Sequence, residues 1–181
     1  SEGDGRTRST VTSVFDGKQT VFVWIETEAF GARLEGLSFA DGVGFPSSIS
    51  YPVATTFTAK SAPRLASDGE TGSLLVWAQG LSDGSSDVLG KFLPRDALRP
   101  TDTLAALRIA TQFERDEVNP SVAYSNDGES YFVAWGSRLG TSDSDVRGSW
   151  IARDGRVLDP EPGFVVSSTT AEAVANADAG N

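Results

Sequence analysis

Short hydrophobic runs recur along the chain and are separated by turns that contain Asp and Gly. In the run formed by residues 20–25, Phe22 and Trp24 lie on one face of an extended chain. Val21 and Val23 lie on the other face, so the run is apolar on both sides. A strand with one face in water would alternate between apolar and polar residues, and this run therefore predicts a strand that is covered on both faces. Corresponding runs are formed by residues 73–78 and 131–135.

A set of landmarks occurs three times in the same order, which indicates an internal repeat. Each copy has an Asp-Gly turn, a tryptophan eight or nine residues later, and a glycine 12 or 13 residues after the tryptophan. A second turn follows, and a β-branched residue before small residues closes the copy. The three tryptophans are Trp24, Trp77 and Trp135. Three copies of one structural unit are therefore expected.

Each unit is predicted to contain four antiparallel strands. The first strands are expected at residues 11–15, 64–67 and 121–125. Pro63 and Pro120 are expected to start two of them, because proline is tolerated at the first residue of a strand. The Asp-Gly turns recur at spacings of 52 and 59 residues. Four-stranded units at such a period, with inner strands that are apolar on both faces, are typical of the blades of a β-propeller.

The predicted fold is therefore all-β, with three four-stranded blades in this chain. The expected boundaries are residues 9–57 for the first blade, 58–113 for the second and 114–170 for the third. Residues 1–8 are expected to form an N-terminal tail. Residues 171–181 are expected to form a C-terminal tail or the start of a further blade.

Propellers contain about four to eight blades. With three blades, the outer faces of the first and last blades would have no neighbouring blade. Each would expose on the order of several hundred Å² of apolar surface, which soluble monomers rarely tolerate. At about 25 cal/mol per Å², one such face in water forfeits on the order of 10 kcal/mol of stability. We therefore expect a partner. It is either a second copy of the chain, forming a homodimer that closes a six-bladed ring, or the remainder of a larger propeller.

The third copy carries the pattern Pro-x-Val-Ala, Asp-Gly, Phe-Val-x-Trp, Asp-Val-x-Gly and Asp-Gly between Pro120 and Gly155. This pattern resembles the repeats of bacterial extracellular and lipoprotein-type β-propellers. The second copy matches it between Pro63 and Asp96, and the first copy departs most, because it lacks the proline and the Ser-Asp-Val triplet. The resemblance spans residues 9–170 and implies a secreted or cell-surface propeller. It implies no particular activity, because propellers host many unrelated functions.

Composition excludes several partners and chemistries. The net charge of −10 and the pI of about 4.4 would repel a phosphate backbone, so no nucleic-acid partner is expected of this acidic protein. Cys and His are absent, which excludes disulfides, thiolate nucleophiles and Ser-His-Asp triads. The apolar runs are far shorter than the roughly 18 residues that a membrane helix needs, so no membrane span is predicted.

Two acidic loops lie between the second and third strands of the second and third units. They contain Asp83 and Asp87 in one unit and Asp143 and Asp145 in the other. Calcium takes about six to eight hard oxygen ligands, which closely spaced Asp and Ser side chains can supply. The EF-hand spacing is missing, however, and the alternative is a solvated loop in which Asp87 and Asp145 accept hydrogen bonds from nearby backbone N–H groups. These four aspartates are the calcium candidates, and no other cofactor is predicted.

The tryptophans have two interpretations, core packing and ligand binding. Trp24, Trp77 and Trp135 lie in the middle of the most hydrophobic strand of each unit, so they are expected to be structural core residues between blades. Trp150 lies in the third strand of the third unit and is the least confined of the four. It is the candidate for binding a ligand, such as the apolar face of a sugar ring.

The predicted function is a non-catalytic scaffold, bacterial and secreted or on the cell surface, that mediates protein–protein interaction or self-assembly. The chain is not predicted to be an enzyme. The alternative is a carbohydrate-binding propeller lectin, and a glycan hydrolase comes third. The sialidase repeat Ser-x-Asp-x-Gly is missing, because residues 125–128 place the glycine one position too early. An arginine triad is not recognisable either, and no catalytic residue is predicted.

Overall fold

The computed structural model describes residues 5–40, 51–54, 58, 60–95, 105–112, 114–140 and 143–168. Within these ranges the chain forms twelve β-strands and no helix. Nothing helical in the described part therefore has the length and apolar character that crossing a membrane requires. The strands form three four-stranded antiparallel sheets, which we call blade 1, blade 2 and blade 3 in chain order.

The strand bounds of the three blades are as follows. Blade 1 consists of β1 (Thr7–Phe15), β2 (Gln19–Glu28), β3 (Gly31–Ala40) and β4 (Tyr51–Ala54). Blade 2 consists of β5 (Lys60–Ser67), β6 (Gly72–Gly80), β7 (Ser86–Pro94) and β8 (Leu107–Ala110). Blade 3 consists of β9 (Asp116–Ser125), β10 (Ser130–Leu139), β11 (Asp143–Ala152) and β12 (Phe164–Ser168).

Each blade is a meander in which the strands lie side by side in chain order. Strand β5 packs against β1 of the preceding blade, and β9 packs against β5 in turn. The first strands of successive blades are therefore neighbours. Sheets that stack with their first strands together have the arrangement of blades around a propeller axis. The predicted all-β fold, with three four-stranded blades forming part of a propeller, is confirmed.

The blades stack in one direction. Each blade has a tryptophan face, which is the side of its second strand that carries the repeated tryptophan, and an opposite face. Leu75 and Trp77 on the tryptophan face of blade 2 are buried in one cluster with Val23 and Ile25 on the opposite face of blade 1. The second joint has the same polarity, and its buried residues include Leu74, Val76, Val88, Ile109, Tyr131, Val133 and Trp135. The tryptophan face of each later blade thus covers the opposite face of the earlier one.

This stacking accounts for strands that are apolar on both sides. In β6, every residue from Gly72 to Ala78 is buried, because blade 2 has a neighbour on each side. In β2, Val21 and Val23 are buried, whereas Phe22 and Trp24 are half-buried. Within this chain blade 1 has a neighbour on one side, so its tryptophan face is incompletely covered.

An ion pair ties blade 3 to a turn of blade 2. Asp68 opens the β5–β6 turn, and its Oδ1 accepts hydrogen bonds from the N–H groups of Glu70 and Thr71 at 2.8 Å and 2.7 Å. Arg153 of blade 3 donates to Asp68 Oδ2 at 2.9 Å. Burial acts to raise the pKa of Asp68, but hydrogen bonds from the Thr71 side chain and from backbone N–H groups outweigh it and lower that pKa well below its ordinary value. The carboxylate therefore keeps the charge that holds Arg153.

The first strand of every blade contains a β-bulge at the same place. The residues at the bulges with positive φ are Thr10 at 49°, Ala62 at 49° and Asn119 at 51°, in a region that non-glycine residues rarely adopt. The prediction that Pro63 and Pro120 start strands is wrong, because β5 and β9 begin before them and continue through the bulge. Proline is tolerated there because the bulge interrupts the hydrogen bonds between strands.

We expect Ala62→Gly to raise the free energy of unfolding, by up to about 1 kcal/mol. The left-handed conformation costs an L-residue roughly 1–2 kcal/mol, which glycine avoids, and the greater flexibility of glycine in the unfolded chain offsets about 0.5–1 kcal/mol of that gain. The control is Ala66→Gly in the same strand, where the methyl group is buried and φ is not positive. This control should lose about 1 kcal/mol. Urea unfolding measures both, and an equal loss in the two variants would contradict strain at the bulge.

Candidate functional site

Just before the bulge, the first strand of each blade carries a charged side chain at an equivalent position. The residues are Arg8, Lys60 and Glu117, each two positions before a residue with positive φ. Lys60 and Glu117 are buried, whereas Arg8 is exposed. Buried charged groups are rare in proteins unless they are paired. The hydrogen-bond and ion-pair partners of these side chains therefore determine whether each charge is fully satisfied.

Neighbouring strands extend this position into a polar layer that crosses each blade. The residues opposite the first-strand position on the second strands are Glu26, Gln79 and Ser137. On the third strands, the residues that pair with these second-strand residues are Arg33, Asp87 and Asp145. The polar layer lies at the strand ends next to the connections between second and third strands.

In blade 3 two arginines join the polar layer to form what we call the Glu117 cluster, which consists of Glu117, Ser137, Asp145, Arg115 and Arg147. The Ser137 hydroxyl donates to Glu117 Oε1 at 3.1 Å, and Arg115 Nη1 donates to Ser137 Oγ at 3.2 Å. Asp145 Oδ2 lies 3.6 Å from Arg115 Nη1 and 3.6 Å from Arg147 Nη2. Ser137 and Arg115 thus link the two carboxyl groups.

The Glu117 cluster has hydrogen-bonding capacity that the described residues do not use. Glu117 Oε2, Asp145 Oδ1 and Arg147 Nε are buried and make no hydrogen bond of standard geometry within the described residues, although the Trp135 indole lies close enough to the Glu117 carboxyl to act on its pKa. A buried polar atom without a partner costs roughly 1–3 kcal/mol, and native interiors contain few such atoms. Three of them in one cluster indicate a place where a polar ligand or water molecules complete the hydrogen bonds.

Burial changes the acidity of Glu117. Its side chain is fully buried, and the loss of hydration raises the pKa of Glu117 above its ordinary value. The hydrogen bonds from the Ser137 hydroxyl and the Trp135 indole, together with the positive charges of Arg147 and Arg115, act in the opposite direction and are outweighed. Glu117 therefore keeps its proton to a higher pH than an exposed glutamate does. A carboxylic acid that stays protonated can serve as a proton donor.

Blade 1 satisfies the same layer in a different way. Glu26 is 2% exposed, and its carboxylate is ion-paired with Arg33 at 2.7 Å, Arg8 at 2.9 Å and Arg6 at 3.2 Å. Three guanidinium groups thus surround one carboxylate, and such charge-assisted hydrogen bonds are strong. Glu26 is a structural group in an ion-pair network, whereas Glu117 has an oxygen that makes no hydrogen bond of standard geometry.

The predicted calcium ligands lie in different surroundings. Asp83 is exposed, and its Oδ1 accepts hydrogen bonds from the N–H and hydroxyl of Ser85 at 3.0 Å and 2.6 Å. Asp87 is half-buried, and Asp145 lies in the Glu117 cluster between two arginines. The side chain of Asp143 lies outside the described residues. Among the residues that are described, no group of three or more potential ligands is arranged to hold a metal ion. Calcium binding at these aspartates stays a prediction.

The four tryptophans divide into two buried and two partly exposed side chains. Trp77 and Trp135 are each 1% exposed at the joints between blades. Trp24 is half-buried on the tryptophan face of blade 1. Trp150 is also half-buried, and its ring centroid lies 4.8 Å from that of Phe132. Ligand binding at Trp150 remains a prediction.

The sequence interpretation missed Glu117 and Arg115. A signal for Glu117 was present, because it stands three residues before Pro120, as Lys60 stands three before Pro63. Aligning the second and third repeats on these prolines places charged residues at one position of their first strands. No comparable signal marks Arg115, because its contacts with Ser137 and Asp145 depend on which strands become neighbours.

Comparison with known proteins adds a likeness in fold. No protein-family model matches the chain, and no curated protein matches it. Among solved structures, the chain is similar to a GH43 endo-arabinanase from Bacillus licheniformis, with a TM-score of 0.48 and 10% identity. The match covers 91% of this chain and 61% of that enzyme, so the chain spans less than two thirds of the enzyme's length. A likeness at this identity concerns the fold, and the chemistry has to come from the residues of this chain.

Two predictions need correction. The predictions of a non-catalytic scaffold and of a chain that is not an enzyme are contradicted by the name of the matching structure, an endo-arabinanase, and are not kept. The resemblance to propeller repeats holds at the level of the fold. The more specific likeness to bacterial extracellular and lipoprotein-type propellers has no support from these comparisons.

We expect Glu117→Gln to change how stability depends on pH. The pKa of Glu117 is raised in the folded state, so its favourable contribution is complete below the unfolded-state pKa of about 4.3. That contribution is lost as the pH rises through the folded-state pKa, because ionising a buried carboxyl is costly. Glutamine does not titrate, so the stability of the variant relative to the native chain should increase between acidic and neutral pH. Urea unfolding across this range provides the measurement.

The control for this experiment is Glu129→Gln, at an exposed position in the β9–β10 turn. It removes a carboxyl that is exposed in the folded chain, so its stability difference from the native chain should vary less with pH than that of Glu117→Gln. A flat difference for Glu117→Gln would show that the Glu117 carboxyl titrates as an ordinary glutamate.

Proposed function

We propose that this chain forms part of a β-propeller that hydrolyses glycosidic bonds, and that Glu117 donates the proton to the leaving group. The observation that carries the proposal is a buried carboxyl whose second oxygen makes no hydrogen bond of standard geometry, linked through Ser137 and Arg115 to a second carboxyl, that of Asp145. Most glycoside hydrolases work with a pair of carboxyl groups, one as acid and one as base or nucleophile.

The spacing of the pair favours inversion over retention. Glu117 on β9 and Asp145 on β11 both pair with Ser137 on the strand between them. Adjacent strands lie about 4.8 Å apart, so the two Cα atoms are separated by roughly 9–10 Å. Inverting enzymes hold their carboxyl groups about 6.5–9.5 Å apart, which leaves room for a water molecule, and retaining enzymes hold them at about 5 Å. Cα atoms this far apart leave room for carboxyl groups at the separation of an inverting pair, and we propose direct attack by water.

In the proposed reaction, Glu117 transfers its proton to the glycosidic oxygen as the bond from that oxygen to the anomeric carbon breaks. Water attacks the anomeric carbon from the opposite side and gives its proton to the Asp145 carboxylate. The products are a free reducing sugar and an alcohol, and the two carboxyl groups exchange protons with solvent to restore the starting state. Arg115 and Arg147 act as positioning residues, because each contacts Asp145.

We also propose that further blades complete the propeller. They would come from a second copy, giving a six-bladed homodimer, or from the remainder of a larger propeller. The support is that, among the described residues, the tryptophan face of blade 1 and the opposite face of blade 3 have no neighbouring blade.

Three further proposals follow from the sequence. Calcium would bind in the acidic loops that contain Asp83, Asp87, Asp143 and Asp145, and sugar would stack on Trp150. The protein would be secreted or held at the cell surface as one of the bacterial extracellular or lipoprotein-type propellers. The support for the first two is the closely spaced oxygen ligands and the half-buried indole, and for the third the repeat pattern between Pro120 and Gly155.

We expect the chain to hydrolyse at least one member of a panel of 4-methylumbelliferyl hexosides and pentosides, presented in both anomeric forms with the matching unactivated oligosaccharides. Glu117→Gln should lower the rate on the oligosaccharides by roughly 10²–10⁴-fold, which is the usual contribution of general acid catalysis. The loss on the aryl glycosides should be smaller, because their leaving group needs little protonation. Asp145→Asn should lower the rate on both substrate types to a similar extent.

The matched control is Glu129→Gln, which should keep the native rates. Proton NMR of the first product should show inverted configuration at the anomeric carbon. The proposal fails if no glycoside in the panel is hydrolysed faster than in buffer, or if Glu117→Gln loses equally on both substrate types. Binding on a glycan array without any hydrolysis would instead support the carbohydrate-binding lectin.

A further inference from the structure

Blade 3 exposes residues at positions that the next blade covers elsewhere. One position of the third strand holds Leu34 in blade 1, Val88 in blade 2 and Val146 in blade 3. Leu34 and Val88 are 0% exposed, because the tryptophan face of the following blade lies against them, whereas Val146 is 43% exposed. The difference therefore reflects the missing neighbour and not the type of residue.

The fourth strands repeat this relation. Each has a register shift at one residue, which is Val53 in blade 1, Ile109 in blade 2 and Val166 in blade 3. Val53 and Ile109 are 0% and 1% exposed, and Val166 is 51% exposed. Two independent strands of blade 3 thus present apolar side chains that are suited to a covering blade.

Blade 1 exposes the complementary half. Trp77 and Trp135 are buried by the opposite face of the preceding blade, whereas the equivalent Trp24 is half-buried. Val11 and Phe15, on the first strand of blade 1, are 67% and 50% exposed. A groove of about 540 Å³ lies beside the indole and is lined by Arg8, Ser9, Thr10, Val11 and Trp24.

We propose that a second copy of this chain covers both faces, with the tryptophan face of blade 1 in each copy packed on the opposite face of blade 3 in the other. Val146 and Val166 of one copy then lie against Trp24 and its groove in the other copy. This inference rests on the propeller being incomplete in one chain and is independent of the proposed hydrolysis. A second copy supplies both halves of the joint with the polarity that the two joints inside the chain already have.

The size of the joints suits a stable dimer. Four strands about 4.8 Å apart and about eight residues long, at about 3.3 Å per residue, give a blade face of roughly 500 Å². Two joints bury four such faces, or roughly 2,000 Å² in total, which is the size of a stable protein–protein interface. In the proposed dimer a two-fold axis relates the two joints, and this closed symmetry, unlike an open filament, contains two copies.

A polar contact at the joint between blades 1 and 2 supports the match. Lys60 of blade 2 donates to the backbone carbonyl of Ala32 in blade 1 at 3.2 Å. Arg8 is the equivalent of Lys60, and Ser144 of blade 3 is the equivalent of Ala32 by strand register. In the proposed dimer Arg8 of one copy therefore donates to the Ser144 carbonyl of the other, as Lys60 donates to the Ala32 carbonyl within the chain.

The test is the mass of the purified chain by size-exclusion chromatography with light scattering at micromolar concentration. The expected mass is about twice the 19.1 kDa of one chain. Val146→Arg and Val166→Arg should each raise the dimer dissociation constant by about 100-fold or more, because every dimer then buries two unpaired charges. Both side chains are about half exposed in a single copy, so the variants should fold, which circular dichroism and urea unfolding at low concentration confirm.

The matched control is Leu81→Arg, which places the same charge on the β6–β7 hairpin of blade 2 at a side chain that is 41% exposed. This variant should dimerise as the native chain does. A monomer at all concentrations would overturn the proposal and would leave the two faces to blades of another chain segment. A series of growing oligomers, or equal weakening by all three arginine variants, would overturn it as well. These measurements need no substrate, so their outcome is separate from that of the glycoside panel.

Discussion

The structure depends on one constraint: each blade is a thin sheet whose two faces are both apolar, so it is stable only between two neighbours. Within the chain this constraint is met by packing a tryptophan face on an opposite face, twice and in the same direction. The stacking brings the first strands of the blades side by side. It also brings the polar layers of the three blades to one end, and the candidate site is built within the layer of blade 3.

The three blades satisfy the charged side chains of the polar layer with different partners, although their strand pairing is the same. Blade 1 surrounds Glu26 with arginines, and blade 2 directs Lys60 to a backbone carbonyl. Blade 3 buries Glu117 and leaves one of its oxygens without a hydrogen bond of standard geometry. A fold that can tolerate three solutions at one position can keep two for stability and use the third for chemistry. A buried glutamate at this position of the first strand is therefore specific to blade 3.

Much of the fold could be predicted from the sequence, because its determinants are local. The Asp-Gly turns, the tryptophans and the two-sided hydrophobic runs predict blades with the observed strand order. The bulges could not be predicted, since the positive φ of Ala62 and Asn119 follows from strand register and not from residue type. The Glu117 cluster could not be predicted either. Its partners Ser137 and Asp145 lie 20 or more residues away and meet Glu117 through pairing across β10.

The uniform direction of stacking has a consequence for how such proteins change over evolutionary time. A segment that encodes one blade carries a tryptophan face on one side and, on the other side, the opposite face that fits the tryptophan face of the next blade. Duplication or deletion of that segment leaves every remaining contact between blades of the same kind, so the number of blades can change in whole steps without new surfaces being invented. The limit on such growth is the angle between successive blades, which decides when the first and the last meet.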